Sequence, residues 1–174
     1  MKGFTLIELM VTLIIVAILA VIAVPSFVEY TTYSKISADT NSIVSDLMVA
    51  RSEAVKRGMP VTICPSTDGT TCTTGAGAWS QGRIVFVDRA VRGTVDGTGA
   101  TADSNFILRT ATAPNGNTLS LSSANDYLSF NSDGSGYPQG SLTITLCRTG
   151  YFGRTITLTP AGRITTVKTP SACS

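Results

Sequence analysis

The sequence predicts an α+β fold, in which one long N-terminal α-helix packs on an antiparallel β-sheet head. Three features of the 174 residues predict it: an apolar run that ends at Val24, an amphipathic pattern after Pro25, and short alternating runs beyond Gly58. A chain of this length holds a single globular domain with a sizeable core and one extra element.

The apolar run begins close to the N-terminus. From Leu9 to Val24 only Thr12 is polar, and the run that starts at Phe4 reaches about 20 residues, which is enough to cross a bilayer as a helix. Only three residues precede it, and a cleavage site of small residues does not follow it. The segment therefore differs from an ordinary secretory signal peptide.

Glu8 is unusual because it stands inside the apolar run. A carboxylate in the hydrocarbon of a bilayer costs about 2.5 to 3.5 kcal/mol on insertion scales and normally marks a specific partner. The alternative is a plain membrane anchor in which Glu8 lies among the lipid headgroups.

An amphipathic helix is predicted beyond Pro25. Apolar residues recur at intervals of 7, 4, 3 and 4, which is one helical face, at Ile36, Ile43, Leu47, Ala50 and Ala54. The charged side chains fall elsewhere on the helical wheel, at Lys35, Asp39, Asp46 and Glu53. Basic residues in the last turn and a following glycine end the helix at Arg57, and Pro25 predicts a kink or a local unwinding.

Short β-type runs fill the rest of the chain. Eight of them are recognised, and they begin at Val61, Arg83, Asn105, Thr118, Tyr127, Ser141, Arg154 and Arg163. They predict an antiparallel sheet packed on the amphipathic helix, with a hairpin turn at residues 160–162 and Trp79 in the core. The loop from Val91 to Ser104 has no periodicity and is predicted to be solvated.

The four cysteines fall at Cys64, Cys72, Cys147 and Cys173. Their spacings of 8 and 26 residues favour two local disulfides, Cys64 with Cys72 and Cys147 with Cys173, although four cysteines allow three connectivities. The alternative is a four-thiolate zinc site, for which neither pair has the usual spacing of two to four residues. Disulfides indicate an oxidising compartment.

The absence of histidine from the sequence excludes many catalytic sites. Ser-His-Asp and Cys-His nucleophile pairs and all His-containing zinc sites need that residue. Neither a phosphate-binding loop nor a dinucleotide fingerprint is present, so we expect no catalysis, no cofactor and no metal. Asp96, Asp103 and Asp133 lack the ligand spacing of a calcium loop, and a simple turn is the preferred interpretation of each.

The N-terminal stretch "GFTLIELMVTLIIVAILAVIAVPSF" resembles the signal and first helix of type IV pilins and type II secretion pseudopilins. This resemblance implies cleavage after Gly3 by a prepilin peptidase and methylation of the new amine on Phe4. It assigns assembly roles to Glu8, which neutralises the N-terminal amine of a neighbouring subunit, and to Pro25. The implied regions are a leader at 1–3, a transmembrane half-helix at 4–27, an amphipathic half-helix at 28–58 and a β-rich head at 59–174.

The middle of the chain resembles the GspH/FimT group of minor pilins and H-type pseudopilins. The residues that carry this resemblance are "ARSEAVKRGMPVTIC", Trp79, "GRIVFVD" and a late "GR". It implies a single-pass protein of the bacterial inner membrane with a periplasmic head, which is built into a type IV pilus with other pilins. The alternative is an H-type pseudopilin of a type II secretion system.

The last 34 residues carry four basic side chains and no acidic one, namely Arg148, Arg154, Arg163 and Lys168. Some FimT-type minor pilins bind DNA for uptake in natural transformation through a Gly-Arg-x-Arg motif in this region. Gly162 and Arg163 match that motif, and Thr165 stands at the place of its second arginine. The residues therefore predict either a contact with double-stranded DNA or a solvated positive face.

Overall fold

The computed structural model describes residues 3–75, 77–89, 91–95, 106–114, 116–122 and 126–173. The chain divides into two compact units, of which the first ends at Lys35 and the second begins at Ile36. A single helix, α1 (Leu6–Arg57), contributes to both units.

Helix α1 keeps helical geometry across Pro25, so the predicted unwinding is wrong. Proline removes one hydrogen bond from the ladder, and in a helix of 52 residues this loss does not break the helix. The helix ends as predicted, because Gly58 has a φ of 64° and the Met59 N–H donates to the Ala54 carbonyl at 3.3 Å. This arrangement is a Schellman cap.

In the described part of the chain, nine strands follow the helix: β1 (Val61–Pro65), β2 (Gly82–Val87), β3 (Ile107–Thr112), β4 (Thr118–Leu121), β5 (Leu128–Phe130), β6 (Gly136–Tyr137), β7 (Leu142–Cys147), β8 (Phe152–Leu158) and β9 (Ile164–Ala172). Eight of them correspond to the predicted runs. Strand β6 has only two residues, which is too short to give a periodic signal.

The strands form two antiparallel sheets, in the orders β3-β2-β1-β5-β6 and β4-β7-β8-β9. The predicted α+β fold with antiparallel strands is confirmed, and the strands form two sheets where one was expected. Alternation shows which face of a strand is apolar, and it does not show which strands pair. The predicted turn at residues 160–162 does join β8 and β9 as a hairpin.

The core of the second unit lies between the helix and the sheets. The predicted apolar face of α1 is buried, from Ile36 to Ala54. Strands β1 and β2 are buried along their whole length, and β7 alternates between buried and half-buried residues. Trp79 is buried as predicted, in a short 3-10 helix at Ala78–Ser80.

The placement of Asp46 away from the apolar face of the helix was wrong. Asp46 is 2% exposed and lies 2.6 Å from the guanidinium of Arg83 and 3.2 Å from that of Arg109. It follows Ile43 by three residues and precedes Ala50 by four, so the helical period puts it at the edge of the apolar stripe. Of the loop predicted to be solvated, from Val91 to Ser104, Val91 is exposed and Val95 is buried, and residues 96–104, with Asp96 and Asp103, lie outside the described residues.

Candidate functional site

The bond between Gly3 and Phe4 lies outside the helix. Both residues are exposed, and α1 begins two positions later at Leu6. A Cβ atom built on Gly3 would have no neighbour within 4 Å. The predicted cleavage point is thus an accessible, non-helical peptide bond.

Glu8 belongs to the first turn of α1, where Thr5 is the N-cap residue. The Glu8 N–H donates to the Thr5 Oγ1 at 3.3 Å, which is one half of a capping box. A carboxylate at this position also lies near the positive end of the helix dipole. The four letters "TLIE" carry this signal, and the sequence analysis missed it.

The apolar part of α1 presents its side chains to the surroundings in every direction. All large apolar residues from Phe4 to Tyr30 are exposed, and Pro25 and Glu29 lie among them. One window of 18 residues has a mean hydropathy of 3.0, so the helix is long and apolar enough to cross a membrane. A helix that is apolar all round needs lipid or other helices to cover it.

The four cysteines form the two local disulfides, Cys64 with Cys72 and Cys147 with Cys173. The zinc alternative needs thiolates, and disulfide sulfurs cannot supply them. Among the described residues, Cys, Asp and Glu side chains form no group of three that could hold a metal ion. Asp133 accepts the Ser135 N–H at 2.9 Å, which is the simple turn that the sequence favoured.

The four basic residues of the C-terminal region lie in three places. Arg154 and Lys168 are directly opposite each other on β8 and β9, and the Lys168 Nζ lies 4.0 Å from the centre of the Phe152 ring. Arg148 packs on Gly116, at the start of β4. Arg163 precedes β9 and is roughly 16 Å along the strand from Lys168.

Arg163 lies instead beside the C-terminal end of α1. It lines a groove of about 690 Å³ together with Arg51 and Lys56 of the helix. The Arg51 guanidinium donates to the carbonyls of Gly134 and Ala161, at 3.1 and 3.3 Å. The helix thereby joins the β5–β6 turn to the β8–β9 hairpin, a connection that the sequence analysis missed.

Gly162 has a structural reason to be glycine. Its φ is 75°, and a Cβ atom there would lie 2.0 Å from the Gly134 carbonyl oxygen and 3.0 Å from the Arg51 Nε. The two turns therefore meet only because this side chain is absent. The glycine of the "GR" pair fixes the backbone that presents Arg163.

The second unit also contains a buried charge cluster that the sequence analysis missed. Arg83 is 4% exposed, and it donates to Asp46 at 2.6 Å and to Ser42 at 2.7 Å. Arg109 donates to Ser45 at 2.9 Å and lies 3.2 Å from Asp46. The cluster ties α1 to β2 and β3, and its role is to hold the helix on the sheet.

Comparisons with known proteins identify the family. The family model described as "Type II transport protein GspH" matches residues 39–162, and the model described as "Prokaryotic N-terminal methylation motif" matches residues 1–24. A comparison with curated proteins found no match.

Two kinds of solved structure share the fold. A crystal structure of the Pseudomonas aeruginosa type IV minor pilin FimU has a TM-score of 0.59 at 22% identity, and the match covers 83% of this chain and 99% of the FimU chain. The structure of the Vibrio cholerae minor pseudopilin EpsH has a TM-score of 0.51 at 13% identity, and the match covers 79% of this chain and 99% of the EpsH chain. Since the first family model matches more than half of the chain, the protein belongs to the GspH family.

Proposed function

We propose that this protein is a minor subunit of a type IV pilus, which is anchored in the inner membrane by α1 and then helps to start or extend the filament. One observation carries the proposal: from Leu6 to Val28 the helix is exposed and apolar on all sides, and Glu8 is the one carboxylate in that stretch. Members of the pilin family assemble with other pilins in filaments. The head contributes the surfaces that contact neighbouring subunits.

Processing is the first step of the proposed function. A prepilin peptidase cleaves after Gly3, and the new amine of Phe4 is then methylated. The accessible peptide bond before the helix supports this step, since a protease can bind it in extended form without unwinding α1. The match to the N-terminal methylation motif supports it as well.

Glu8 acts in the next step, when the subunit docks. In a medium of low dielectric constant, a lone carboxylate and a lone ammonium are each costly, and a close pair of them is much less so. The pairing of Glu8 with the N-terminal amine of a neighbouring subunit therefore favours the assembled state.

Mass spectrometry of the chain isolated from sheared filaments tests the proposal. We expect an N-terminus at methylated Phe4. The Gly3→Val variant is expected to stay uncleaved in the membrane, because a β-branched side chain blocks the small position before the scissile bond, while Gly3→Ala is processed. A filament-borne chain that still begins at Met1 would refute the proposed processing.

The type II secretion system is the alternative setting, and the family description favours it. Deletion of the gene separates the two settings. Loss of filaments and of filament-dependent motility, with protein export intact, supports the pilus. Loss of export with filaments intact supports a pseudopilus.

DNA binding is a second candidate function. The observation in its favour is the opposed pair Arg154 and Lys168, which lies on a C-terminal region without acidic side chains. Two cations that face each other across a strand pair repel, and a phosphate between them relieves the repulsion. Such contacts are independent of DNA sequence and weaken as salt rises.

A titration of the detergent-solubilised chain with duplex DNA at two salt concentrations tests this second function. Binding that falls about tenfold in an Arg154→Gln/Lys168→Gln variant supports it, since each lost phosphate contact weakens binding and lowers the salt dependence. Lys35→Gln, which removes an exposed cation from the helix, is the control. No binding at low salt refutes it.

A further inference from the structure

The groove beside the C-terminal end of α1 is formed by three segments of the second unit. One wall is the helix, and the other is made by the β5–β6 turn and the start of β9. Its lining combines apolar, cationic and small residues, with Met48, Arg51, Val55, Lys56, Gly134 and Arg163 as the main ones.

The groove gathers the exposed apolar surface of the head. In the described part of the second unit, large apolar side chains are exposed at Met48, Val55, Val91 and Val167, and the first two line the groove. Met48 is 59% exposed and Val55 is 54% exposed. The half-buried Ile164 adds to the same lining. An apolar cluster with a charged rim is typical of an interaction surface.

The charge of the groove is positive. Arg51 bonds to backbone carbonyls, which leaves its charge uncompensated, and the Arg163 guanidinium has no carboxylate within ion-pair distance among the described residues. Lys56 lies 3.5 Å from Glu53, in an exposed pair that contributes little energy. Asp133 is the carboxylate of the groove lining, and hydrogen bonds from the Ser135 side chain and backbone lower its pKa. The lining therefore holds one negative charge and the three positive charges of Arg51, Lys56 and Arg163.

The groove is also preformed. Arg51 holds both turns by hydrogen bonds to Gly134 and Ala161, and the close contact at Gly162 keeps the two turns together. Ordering these turns therefore adds little to the cost of binding.

We propose that this groove binds a segment of a neighbouring protein subunit that presents an apolar side chain with a carboxylate beside it. The apolar side chain packs between Met48 and Val55, and the carboxylate pairs with Arg163. DNA is a poorer occupant, because an apolar lining gives no advantage to a phosphate backbone. This inference rests on the proposed function, since the partner is expected among the other filament subunits.

Photo-crosslinking in cells that make the filament tests the inference. The photoreactive residue p-benzoylphenylalanine replaces Val55 in the groove or, as a matched control, Val167, which is 56% exposed outside it. Crosslinked peptides are identified by mass spectrometry. We expect Val55 to crosslink to a segment of another subunit that carries Asp or Glu beside an apolar residue, and Val167 not to do so.

Charge reversal sharpens the test. Arg163→Glu is expected to lower the crosslinking yield about five- to tenfold, because like charges then face each other. Changing the identified carboxylate of the partner to lysine is expected to restore the yield. Unchanged melting of the Arg163→Glu variant shows that the head is intact.

Any of four outcomes overturns the inference: no crosslink at Val55, equal crosslinking at Val167, crosslinks only to nucleic acid, or a crosslinking yield that is the same in the Arg163→Glu variant. The filament fraction from the same cells is probed for the chain. If the chain is in filaments without a Val55 crosslink, the groove inference fails and the proposed function stands. If an acidic segment is crosslinked but the chain never enters filaments, the proposed function fails and the groove inference stands.

Discussion

The two ends of helix α1 differ in where their stabilisation comes from. From Phe4 to Tyr30 the apolar side chains are exposed, whereas from Ile36 to Ala54 one face is buried in the core of the second unit. The first region depends on a membrane or on other subunits to cover it. The second region is stabilised by this chain's own sheets, disulfides and ion pairs. Substitutions in the two regions should therefore affect different measurements.

The largest effect on assembly is expected from Glu8→Ala. In the proposed docking step, its loss leaves the amine of a neighbouring subunit unpaired in a medium of low dielectric constant, so incorporation into filaments is expected to fall about tenfold or more. The measurement is the amount of the chain in sheared filaments relative to membranes. Melting of the head is expected to stay unchanged. Glu29→Ala, at an exposed carboxylate of the same helix, is the control, and equal loss in both variants would contradict the role of Glu8.

Asp46→Ala is expected to act on the stability of the head. It leaves the buried guanidinium of Arg83 without its partner, which costs about 3 to 5 kcal/mol of unfolding free energy. Urea unfolding of the detergent-solubilised chain measures this loss. An Asp46→Leu/Arg83→Met double variant is expected to be more stable than Asp46→Ala, because no buried charge remains unpaired. A loss below about 1 kcal/mol in Asp46→Ala would show that the cluster is solvated.

The next largest effect is expected from removal of the disulfides. In the chain-entropy description, a loop of 26 residues is worth about 3.5 kcal/mol and a loop of 8 residues about 2.5 kcal/mol. Replacing Cys147 and Cys173 by alanine is therefore expected to cost more than replacing Cys64 and Cys72. The difference in unfolding free energy between the two double variants is the measurement. The reverse order would show that packing of Cys64, which is buried in the core, outweighs loop length.

Gly162→Ala tests whether the two turns at the groove must touch. Its Cβ would lie 2.0 Å from the Gly134 oxygen, and the positive φ adds strain, so we expect a loss of about 2 to 3 kcal/mol. Gly150→Ala is the matched control, because Gly150 has a φ of 81° and open space around it, and it is expected to cost about 1 kcal/mol. Equal losses would mean that strain alone is responsible.

The smallest effect concerns pH and Asp68. Backbone hydrogen bonds from Thr70 and Thr71 lower the pKa of this carboxyl in the folded state. A lowered folded pKa stabilises the fold above the unfolded pKa of about 3.9, and this contribution is lost as pH falls below it. The gap in melting temperature between the wild type and Asp68→Asn is expected to be constant above about pH 5 and to shrink below about pH 4. An unchanged gap at pH 3 would contradict this account.

The sequence was most informative where a pattern is local. The apolar run, the stripe from Ile36 to Ala54 and the glycine stop after Arg57 depend only on neighbours along the chain, and the structure has all three. The strands were found by the same kind of pattern. The grouping of the strands into two sheets could not be predicted in this way, because strand pairing is decided by contacts between distant segments.

The candidate site was predicted less completely for the same reason. The four basic residues near the C-terminus were treated as one region, and the register of β8 and β9 separates them into three places. Arg51 was overlooked because its partners, Gly134 and Ala161, are 83 and 110 residues away. Asp46 was placed away from the apolar face although its spacing from Ile43 and Ala50 puts it at the edge of that face, and its partner Arg83, 37 residues away, gives no local signal.

The Asp46 cluster has a mechanical consequence. A pulling force on the N-terminal end of α1 is transmitted along the helix to its buried half, which is where the chain is fastened to the sheets. To slide there, the helix must break the bonds of Asp46 to two arginines and those of Ser42 and Ser45 in the same step. Bonds that are loaded together resist shear more strongly than bonds that open one after another. Tension on the helix is therefore transmitted to the strands of the head through this cluster.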